Sequence, residues 1–296
     1  MILLTGATGT VGRHVARRLC GTEPLRLLTR DPRRAAGLAG PHTEVVGGDF
    51  EDPGSLLRAL TGVRTALLVT ADPLTHAHDE NFLTAARTAG VRHVVKLTTL
   101  SVTEPDATDL VTEWQRENER LLCASGLAWT LLRPRTFMSN TLSWARSVRE
   151  AGVVRALHGD TEVAAVDPRD IADVAARALT DTEGHAGRAH PLTGPEAVSP
   201  VRQTEILAEL LERPLVFAEL AEDQALERLV ERYPAEVAHA LVESSARGRE
   251  GTKARVEPTV AEVLGRPARA YRDWAADHLT AFRASCASCA ACARCI

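Results

Sequence analysis

Three glycines near the start of the chain are spaced in a way that suits diphosphate binding. Gly6, Gly9 and Gly12 follow the apolar residues Ile2–Leu4 and open an amphipathic segment, Val11–Cys20. In this arrangement the first glycine permits a tight turn, the second lets backbone N–H groups approach a pyrophosphate, and the third lets helix and strand pack closely. A glycine pattern placed between a strand and a helix predicts a dinucleotide site. The residues of this turn assigned to the cofactor are Gly6, Thr8, Gly9, Thr10, Val11 and Gly12.

The end of the second apolar run indicates which dinucleotide binds. An NAD site places a carboxylate here for the ribose 2′-hydroxyl, whereas an NADP site places an arginine near the 2′-phosphate. Leu25–Thr29 is followed by Arg30, with Arg33 and Arg34 close behind. A guanidinium matches a phosphate in shape and charge, so Arg30 and Arg34 predict NADPH. Asp31 argues for NAD, but it precedes a proline and is therefore typical of a turn.

Two further strand ends offer cofactor contacts. Asp49 and Phe50 follow the third apolar run, where the carboxylate could accept the adenine amino group and the ring could cover the adenine face. Asp49 could equally serve as the N-cap or turn residue before the helix that begins near Pro53. Thr70 ends the fourth apolar run and is also assigned to the cofactor.

The catalytic residues are harder to assign, because a common catalytic pair of oxidoreductases is absent. The chain has two tyrosines and two lysines, and no lysine lies four residues after a tyrosine. Lys96 lies within the fifth apolar run and does not replace the missing helical lysine. Thr99 and Ser101 follow that run, and Gln115 lies in the next helical segment. These side chains can donate hydrogen bonds to a carbonyl oxygen but are too weakly acidic to protonate it efficiently.

Composition and charge exclude several classes of protein. The 296 residues are 45% hydrophobic and 25% charged, which is ordinary for a globular protein, and the net charge of −4 provides no field for nucleic acid or an anionic membrane. We expect a cytoplasmic protein, since neither a membrane-spanning stretch nor a signal peptide is evident. No metal site is expected. Cys286, Cys289, Cys292 and Cys295 could ligate zinc or an iron–sulfur cluster, but their spacing favours an incidental low-complexity tail.

Periodicity predicts the elements that position these residues. Short apolar runs alternate with segments of 3.6-residue periodicity, which indicates βαβ units and a doubly wound parallel sheet of six strands. The predicted strands are Ile2–Leu4, Leu25–Thr29, Glu44–Val46, Thr65–Thr70, His93–Leu97 and Ala128–Leu132. The helices predicted between them are Val11–Cys20, Gly54–Leu60, Glu80–Ala89 and Leu110–Ala124.

The pattern becomes irregular after residue 133. We divide the chain into an NADP-binding core over 1–133, an interleaved, mostly helical substrate and lid region over 134–283, and the tail over 284–296. The second region has predicted strands at Val163–Val166, Arg188–Thr193 and Leu215–Phe217 and predicted helices at Pro168–Leu179, Pro200–Glu212, Glu222–Val230 and Pro234–Glu243. Residues 259–283 are predicted to form a pair of short helices. The aromatic side chains of Trp274 and Phe282 could dock these helices onto the rest of the molecule.

These segments together resemble the NmrA-like branch of the atypical short-chain dehydrogenase/reductases over residues 1 to about 283. Besides the glycine turn, the segments that carry the resemblance are Gly48–Phe50, Leu131–Pro134, Phe137–Asn140, Val166–Ala172, Leu192–Glu196 and Leu264–Pro267. The family implies a Rossmann core, NADP(H) in its crevice, a C-terminal region that closes over the substrate, and Pro134 near the nicotinamide. Gln115 lies where related sequences often carry His or Tyr.

Two classes of function remain open. The family contains reductases of quinones or ketones and redox sensors that bind the nucleotide without turnover. We expect an NADPH-dependent reductase of an aromatic ketone or quinone, acting as a monomer or homodimer, with an antibiotic-pathway ketoreductase as the narrower expectation. A phenol beside the ketone of the substrate could supply the acid that the protein lacks. The alternatives are a non-enzymatic NADP-binding regulator and, less favoured, an epimerase or dehydratase.

Overall fold

A seven-stranded sheet forms the centre of the molecule, and all of its strands run parallel. The structure, a computed structural model, describes residues 1–283; the predicted cysteine tail lies outside the described residues. The strands are β1 (Ile2–Leu4), β2 (Leu25–Thr29), β3 (Thr43–Gly47), β4 (Thr65–Leu68), β5 (His93–Leu97), β6 (Ala128–Pro134), β7 (Val153–Ala156), β8 (Arg188–Leu192) and β9 (Val216–Glu219). Their order in the sheet is β3-β2-β1-β4-β5-β6-β8.

Helices cover both faces of this sheet. In the described part of the chain they are α1 (Gly12–Leu19), α2 (Pro53–Leu60), α3 (Ala77–Ala89), α4 (Leu110–Ala124), α5 (Ala145–Ala151), α6 (Pro168–Thr180), α7 (Thr182–His185), α8 (Pro200–Leu211), α9 (Glu222–Val230), α10 (Ala235–Arg247), α11 (Thr259–Leu264), α12 (Tyr271–Asp277) and α13 (Leu279–Phe282). Short 3-10 helices occur at Pro32–Leu38, Leu100–Thr103, Met138–Trp144 and Gly248–Glu250. One apolar core lies between the sheet and α1 and α6, and a second lies between the sheet and α2, α3 and α4.

The doubly wound fold is confirmed, but the expectation of six strands is wrong. The predicted strand Arg188–Thr193 forms β8, which pairs with β6 and becomes the edge of the main sheet. α6 makes this crossover, and its small residues Ala172, Ala175 and Ala176 are buried in the core that it shares with α1. Strand order reverses between β1 and β4, so the ligand crevice of such a sheet lies at the carboxyl ends of these strands.

The remaining C-terminal elements pack around a separate apolar cluster. β7 and β9 form a two-stranded parallel sheet, and Trp274 and Phe282 are buried beside them, as predicted. Residues 259–283 contain three short helices instead of two. The predicted strand at 163–166 is wrong, because these residues make only single bridges, from Val163 to Val198 and from Val166 to Phe137. The division of the chain at residue 133 stays a prediction. No helix within the described range is long and apolar enough to cross a bilayer.

Candidate active site

The glycine turn after β1 has the geometry that a diphosphate requires. Gly6 has a φ of +60°, and its carbonyl accepts a hydrogen bond from Gly9 N–H at 2.8 Å. A Cβ at Gly12 would lie 2.2 Å from the Gly6 oxygen, so only glycine fits there. Thr5 Oγ1 accepts from Val69 N–H at 2.7 Å and thereby ties the end of β1 to the chain leaving β4. Gly9 itself is exposed, and the cradle that it forms at the start of α1 fits the pyrophosphate of NADPH.

The basic residues after β2 divide into paired and unpaired ones. Asp31 caps the 3-10 helix Pro32–Leu38 by accepting from Arg33 N–H, and its carboxylate also accepts from Arg33 Nε at 3.0 Å. Asp31 is thus the turn residue that its position before Pro32 predicts. Among the described residues Arg30 and Arg34 form no ion pair, and both are exposed, so their guanidinium groups are available to a phosphate. Their assignment to the 2′-phosphate stays a prediction.

Asp49 and Phe50 follow β3, where the sequence predicts the adenine of the cofactor. Asp52, and not Asp49, caps α2, because its carboxylate accepts from the N–H groups of Gly54 and Ser55. Asp49 closes a turn by accepting from Glu51 N–H at 3.1 Å. Phe50 is half-buried, and its ring lies 5.4 Å from that of His78 and 6.1 Å from that of Phe82. Both predicted adenine contacts remain open to a ligand, and both stay predictions.

Thr70 belongs to a buried polar network that the sequence did not reveal. Its hydroxyl donates to Asp79 Oδ2 at 2.7 Å and accepts from Lys96 Nζ at 3.2 Å. Lys96, fully buried in β5, forms an ion pair with Asp79 on α3. Burial lowers the pKa of Lys96, while the charge on Asp79 opposes that shift. The Thr70 hydroxyl is therefore engaged with protein groups, and Lys96 is confirmed as a residue inside the strand.

Thr99 and Ser101 lie at the carboxyl end of β5, and the 3-10 helix Leu100–Thr103 that contains Ser101 packs against α4, the helix that carries Gln115. Thr99 caps this 3-10 helix, with its Oγ1 accepting from Ser101 N–H at 3.3 Å, and Ser101 is buried. Gln115 is 6% exposed, yet its Oε1 has no hydrogen-bond partner within the described part of the chain. Asn118, one turn further along α4, has an unpaired Nδ2. Buried polar atoms without partners are costly and indicate a site that a ligand completes.

A second buried network fixes this end of the sheet. Thr98 Oγ1 donates to Glu119 Oε1 at 2.7 Å, and Arg133 donates to both oxygens of the same carboxylate, at 3.0 and 2.6 Å. Since Thr98 follows β5, Arg133 lies in β6 and Glu119 in α4, the network holds these three elements in register. It positions the chain that carries Thr99 without itself containing a residue assigned to the site.

Two buried cations, Arg135 and Lys253, and the largely buried Arg247 lie near Glu104 and Asp109, in the segment between β5 and α4, and sequence reasoning missed them. Arg135 pairs with Glu104, and Arg247 pairs with Asp109. Lys253 is 7% exposed, and its ammonium donates to the carbonyl and hydroxyl oxygens of Ser244. Burial lowers the pKa of Lys253 to about 8. We call Arg135, Arg247 and Lys253 the cationic cluster. No motif could have signalled it, because its members come from the end of β6, the end of α10 and the loop that follows.

Comparison with known proteins relates this geometry to a family. A family model described as NAD(P)H-binding matches residues 6–182. The chain is 55% identical over 282 residues to the (4-alkanoyl-5-oxo-2,5-dihydrofuran-3-yl)methyl phosphate reductase of Streptomyces griseus, covering 95% of this chain and 99% of that protein. It is 36% identical over 290 residues to the NAD(P)H azoreductase of Xenophilus azovorans, covering 96% and 100%. The chain belongs to the NmrA-like, NAD(P)H-binding family of atypical short-chain dehydrogenase/reductases.

A solved structure bears on the cofactor of this family member. The chain superimposes on the NADPH-dependent quinone oxidoreductase of Escherichia coli complexed with NADPH with a TM-score of 0.83, at 27% identity and covering 95% of this chain and 100% of that one. The protein is an NADPH-dependent oxidoreductase, which confirms the predicted cofactor and enzyme class. When bound, NADPH supplies the two electrons of a reduction as a hydride. The glycine turn and Arg30 would hold its diphosphate and 2′-phosphate.

Two surface clefts lie at the opposite, amino-end edge of the sheet. One of about 570 Å³ is lined in part by His185, His190 and Arg188, and one of about 370 Å³ by Arg64 and His93. Ligands of open α/β sheets bind at the carboxyl ends of the strands, so we place the active site at the glycine turn and not in these clefts. Within the described residues no group of three or more metal-ligating side chains comes together.

Proposed function

We propose that this protein reduces the conjugated C=C bond of an acylated butenolide that carries a methyl phosphate. The observation that carries the proposal is the 55% identity, over almost the full length of both chains, with the furanone phosphate reductase of Streptomyces griseus. This substrate replaces the aromatic ketone or quinone as the leading candidate. It also accounts for a site with hydrogen-bond donors but without a strong acid.

The electronic structure of such a substrate explains why a Tyr–Lys pair is unnecessary. The ring double bond is conjugated to a lactone carbonyl and to the carbonyl of the alkanoyl group. Addition of a hydride to the ring carbon that bears the phosphomethyl group leaves an enolate spread over two oxygens. An enolate of this kind is a far weaker base than the alkoxide formed from an isolated ketone, so water can protonate its carbon. The protein then needs to stabilise charge rather than to deliver a proton.

The residues at the end of β5 supply this stabilisation. Thr99 and Ser101 carry hydroxyl groups, and Gln115 carries an amide group that can donate to an enolate oxygen. Gln115 is buried, so a hydrogen bond from it is stronger than one made in water. Packing of α4 against the 3-10 helix fixes these groups before the substrate arrives, which lowers the cost of reorganisation.

A quinone or an aromatic ketone is the second candidate. The structural similarity to the quinone oxidoreductase of Escherichia coli favours it. A quinone meets the same electronic requirement, because its reduction leaves a phenolate. For an aromatic ketone, a neighbouring phenol of the substrate would supply the proton. An antibiotic-pathway ketoreductase is the narrower form of this candidate.

A comparison of substrates distinguishes the candidates. NADPH consumption is measured with the butenolide phosphate, with 1,4-naphthoquinone, and with matched aromatic ketones that do or do not carry a phenol beside the carbonyl. We expect kcat/KM for the butenolide to exceed the others by about a hundredfold, with a product two mass units heavier that keeps both carbonyl groups. Faster reduction of the quinone or of the phenolic ketone would make the second candidate the function. Tight binding of NADPH without turnover of any of these compounds would point to a sensor.

A further inference from the structure

We propose that Arg135, Arg247 and Lys253 form a subsite of the active site that holds the phosphate of the substrate. The inference rests on the proposed function, because it assigns residues to one group of the proposed substrate. The two arginines each have a carboxylate partner but retain N–H groups without acceptors. Among the described residues the lysine forms no ion pair at salt-bridge distance with a carboxylate. A phosphate dianion would accept hydrogen bonds from the free arginine N–H groups and would provide a counter-ion for the lysine.

Arg135 is buried and Arg247 is largely buried, with 14% of its side chain exposed, and within residues 1–283 both are incompletely paired. Arg135 is 8% exposed, and its Nε has no hydrogen-bond acceptor even though an Nη donates to Glu104. Arg247 donates to Asp109, while its Nε and Nη1 lack acceptors. Glu243 reaches Arg247 Nη1 only at 3.7 Å and is more than half exposed. A guanidinium presents five N–H groups in a planar fork that matches phosphate oxygens, so these free donors suit a phosphate.

Lys253 shows the charge imbalance most clearly. Within the described residues its ammonium meets only Ser244, whose carbonyl and hydroxyl oxygens are neutral acceptors. Three cations therefore lie near two largely buried carboxylates, those of Glu104 and Asp109, and in the described part of the chain only the exposed Glu243 lies beside them. A buried charge without a counter-ion is unfavourable, and the lowered pKa of Lys253 reflects that cost. An anionic ligand would supply the counter-ion and so remove the energetic cost of burying this charge.

The location of the cluster fits the position of the phosphate in the proposed substrate. Arg135 directly follows Pro134, and Glu104 lies three residues after Ser101. Asp109 caps α4, the helix that carries Gln115 about 9 Å further along its axis. In the substrate, the phosphorus is three bonds away from the carbon that accepts the hydride. The phosphate must therefore lie next to the reacting atoms, and Arg135 follows β6, the neighbour of β5 at whose carboxyl end Thr99 and Ser101 lie.

The cluster cannot serve the 2′-phosphate of NADPH. Arg30 follows β2, whereas Arg135 follows β6, and β1, β4 and β5 lie between these two strands in the sheet. At about 4.8 Å per strand, the two arginines are separated by roughly 19 Å. The molecule thus has two separate groups of basic residues, one at each end of the crevice.

The sharpest variant is Lys253→Met, because it removes a buried cation without leaving a carboxylate unpaired. Arg249→Met is the matched control, since Arg249 is an exposed cation of the neighbouring 3-10 helix. For each protein, kcat/KM is measured with the butenolide phosphate and with its dephosphorylated alcohol. We expect the ratio of the two values to fall by about tenfold or more in Lys253→Met and to stay constant in Arg249→Met. An equal loss for both substrates, or no loss, would overturn the assignment.

A binding measurement separates this inference from the proposed function. Phenyl phosphate is titrated calorimetrically into the protein saturated with NADP⁺, so that the basic residues near Arg30 are already occupied. We expect binding by the unmodified protein and by Arg249→Met, and at least about tenfold weaker binding by Lys253→Met. If this holds while the butenolide phosphate is not reduced, the subsite stands and the proposed substrate is wrong. If the unmodified protein does not bind phenyl phosphate, or Lys253→Met binds it equally well, the subsite is wrong.

Discussion

We expect cofactor selectivity to depend on Arg30. It is exposed and unpaired among the described residues, whereas its neighbour Arg33 is already held by Asp31. We expect NADPH to bind at least about tenfold more tightly than NADH, because a charge-assisted hydrogen bond to phosphate is worth about 1.5–3 kcal/mol. Arg30→Ala should remove most of this preference, and Arg33→Ala should preserve it. Dissociation constants from quenching of protein fluorescence test this, and equal values for the two cofactors in the unmodified protein would refute it.

Lys253 should give the reaction a characteristic pH dependence. Burial lowers the pKa of Lys253 to about 8, with Arg247 and Arg135 acting in the same direction and Glu104 and Asp109 against it. Because the free protein loses this proton near pH 8, the attraction for phosphate weakens above that pH. The ratio of kcat/KM for the butenolide phosphate to that for its alcohol should therefore fall between about pH 7 and 9. In Lys253→Met the ratio should be flat, and a parallel fall in that variant would assign the titration to another group.

Among the elements, the turn between β1 and α1 allows little change. Gly12→Ala would place a methyl group 2.2 Å from the Gly6 oxygen, so α1 would have to move away from the sheet. We expect a loss of about 1–3 kcal/mol in the free energy of unfolding, together with weaker NADPH binding. Gly37→Ala is the control, because a Cβ at that position meets nothing within 4 Å. Chemical denaturation measures the free energy of unfolding, and titration with NADPH measures the binding. Equal stability and equal NADPH affinity of Gly12→Ala and Gly37→Ala would contradict this description of the turn.

The buried ion pair between Lys96 and Asp79 links β5 to α3, and its contribution to stability can be tested. Lys96→Met should destabilise the protein by about 3–5 kcal/mol, since it leaves the Asp79 carboxylate charged and buried. The double variant Asp79→Leu with Lys96→Met removes both charges and should recover much of that loss. The free energy of unfolding is measured for the single and double variants. A double variant no more stable than Lys96→Met would contradict this explanation, because the unpaired carboxylate would then not be the cause of the loss.

The sequence predicted the elements well wherever a local pattern defined them. β2 and β5 occur at the predicted residues, because each is a compact apolar run between turn residues. β7 was not predicted. Only Val154 of its four residues is buried, so its sequence has no clear alternation of apolar and polar residues. Arg188–Thr193 was recognised as a strand but not as part of the main sheet. Its pairing with β6 depends on the crossover through α6, which local periodicity does not reveal.

At the scale of the whole molecule, the two ends of the site differ in how far the sequence could define them. The residues assigned to the cofactor belong to contiguous motifs, so the glycine turn and Arg30 could be predicted from their spacing alone, and their contacts with NADPH stay predictions. The substrate end is assembled from distant segments. Arg247 and Asp109 are 138 positions apart, and α10 must pack against α4 to bring them together. Only the folded chain shows that these charges meet at the start of α4, the helix that carries Gln115.

The proposed function requires this molecule to transfer a hydride from NADPH to a conjugated carbon. The most direct test is a single turnover with NADPH that carries deuterium at both C4 positions and with the butenolide phosphate as acceptor, followed by NMR analysis of the product. We predict one deuterium on the ring carbon that bears the phosphomethyl group, with solvent hydrogen on the adjacent carbon. Deuterium at a former carbonyl carbon, or a product that contains none, would contradict the account.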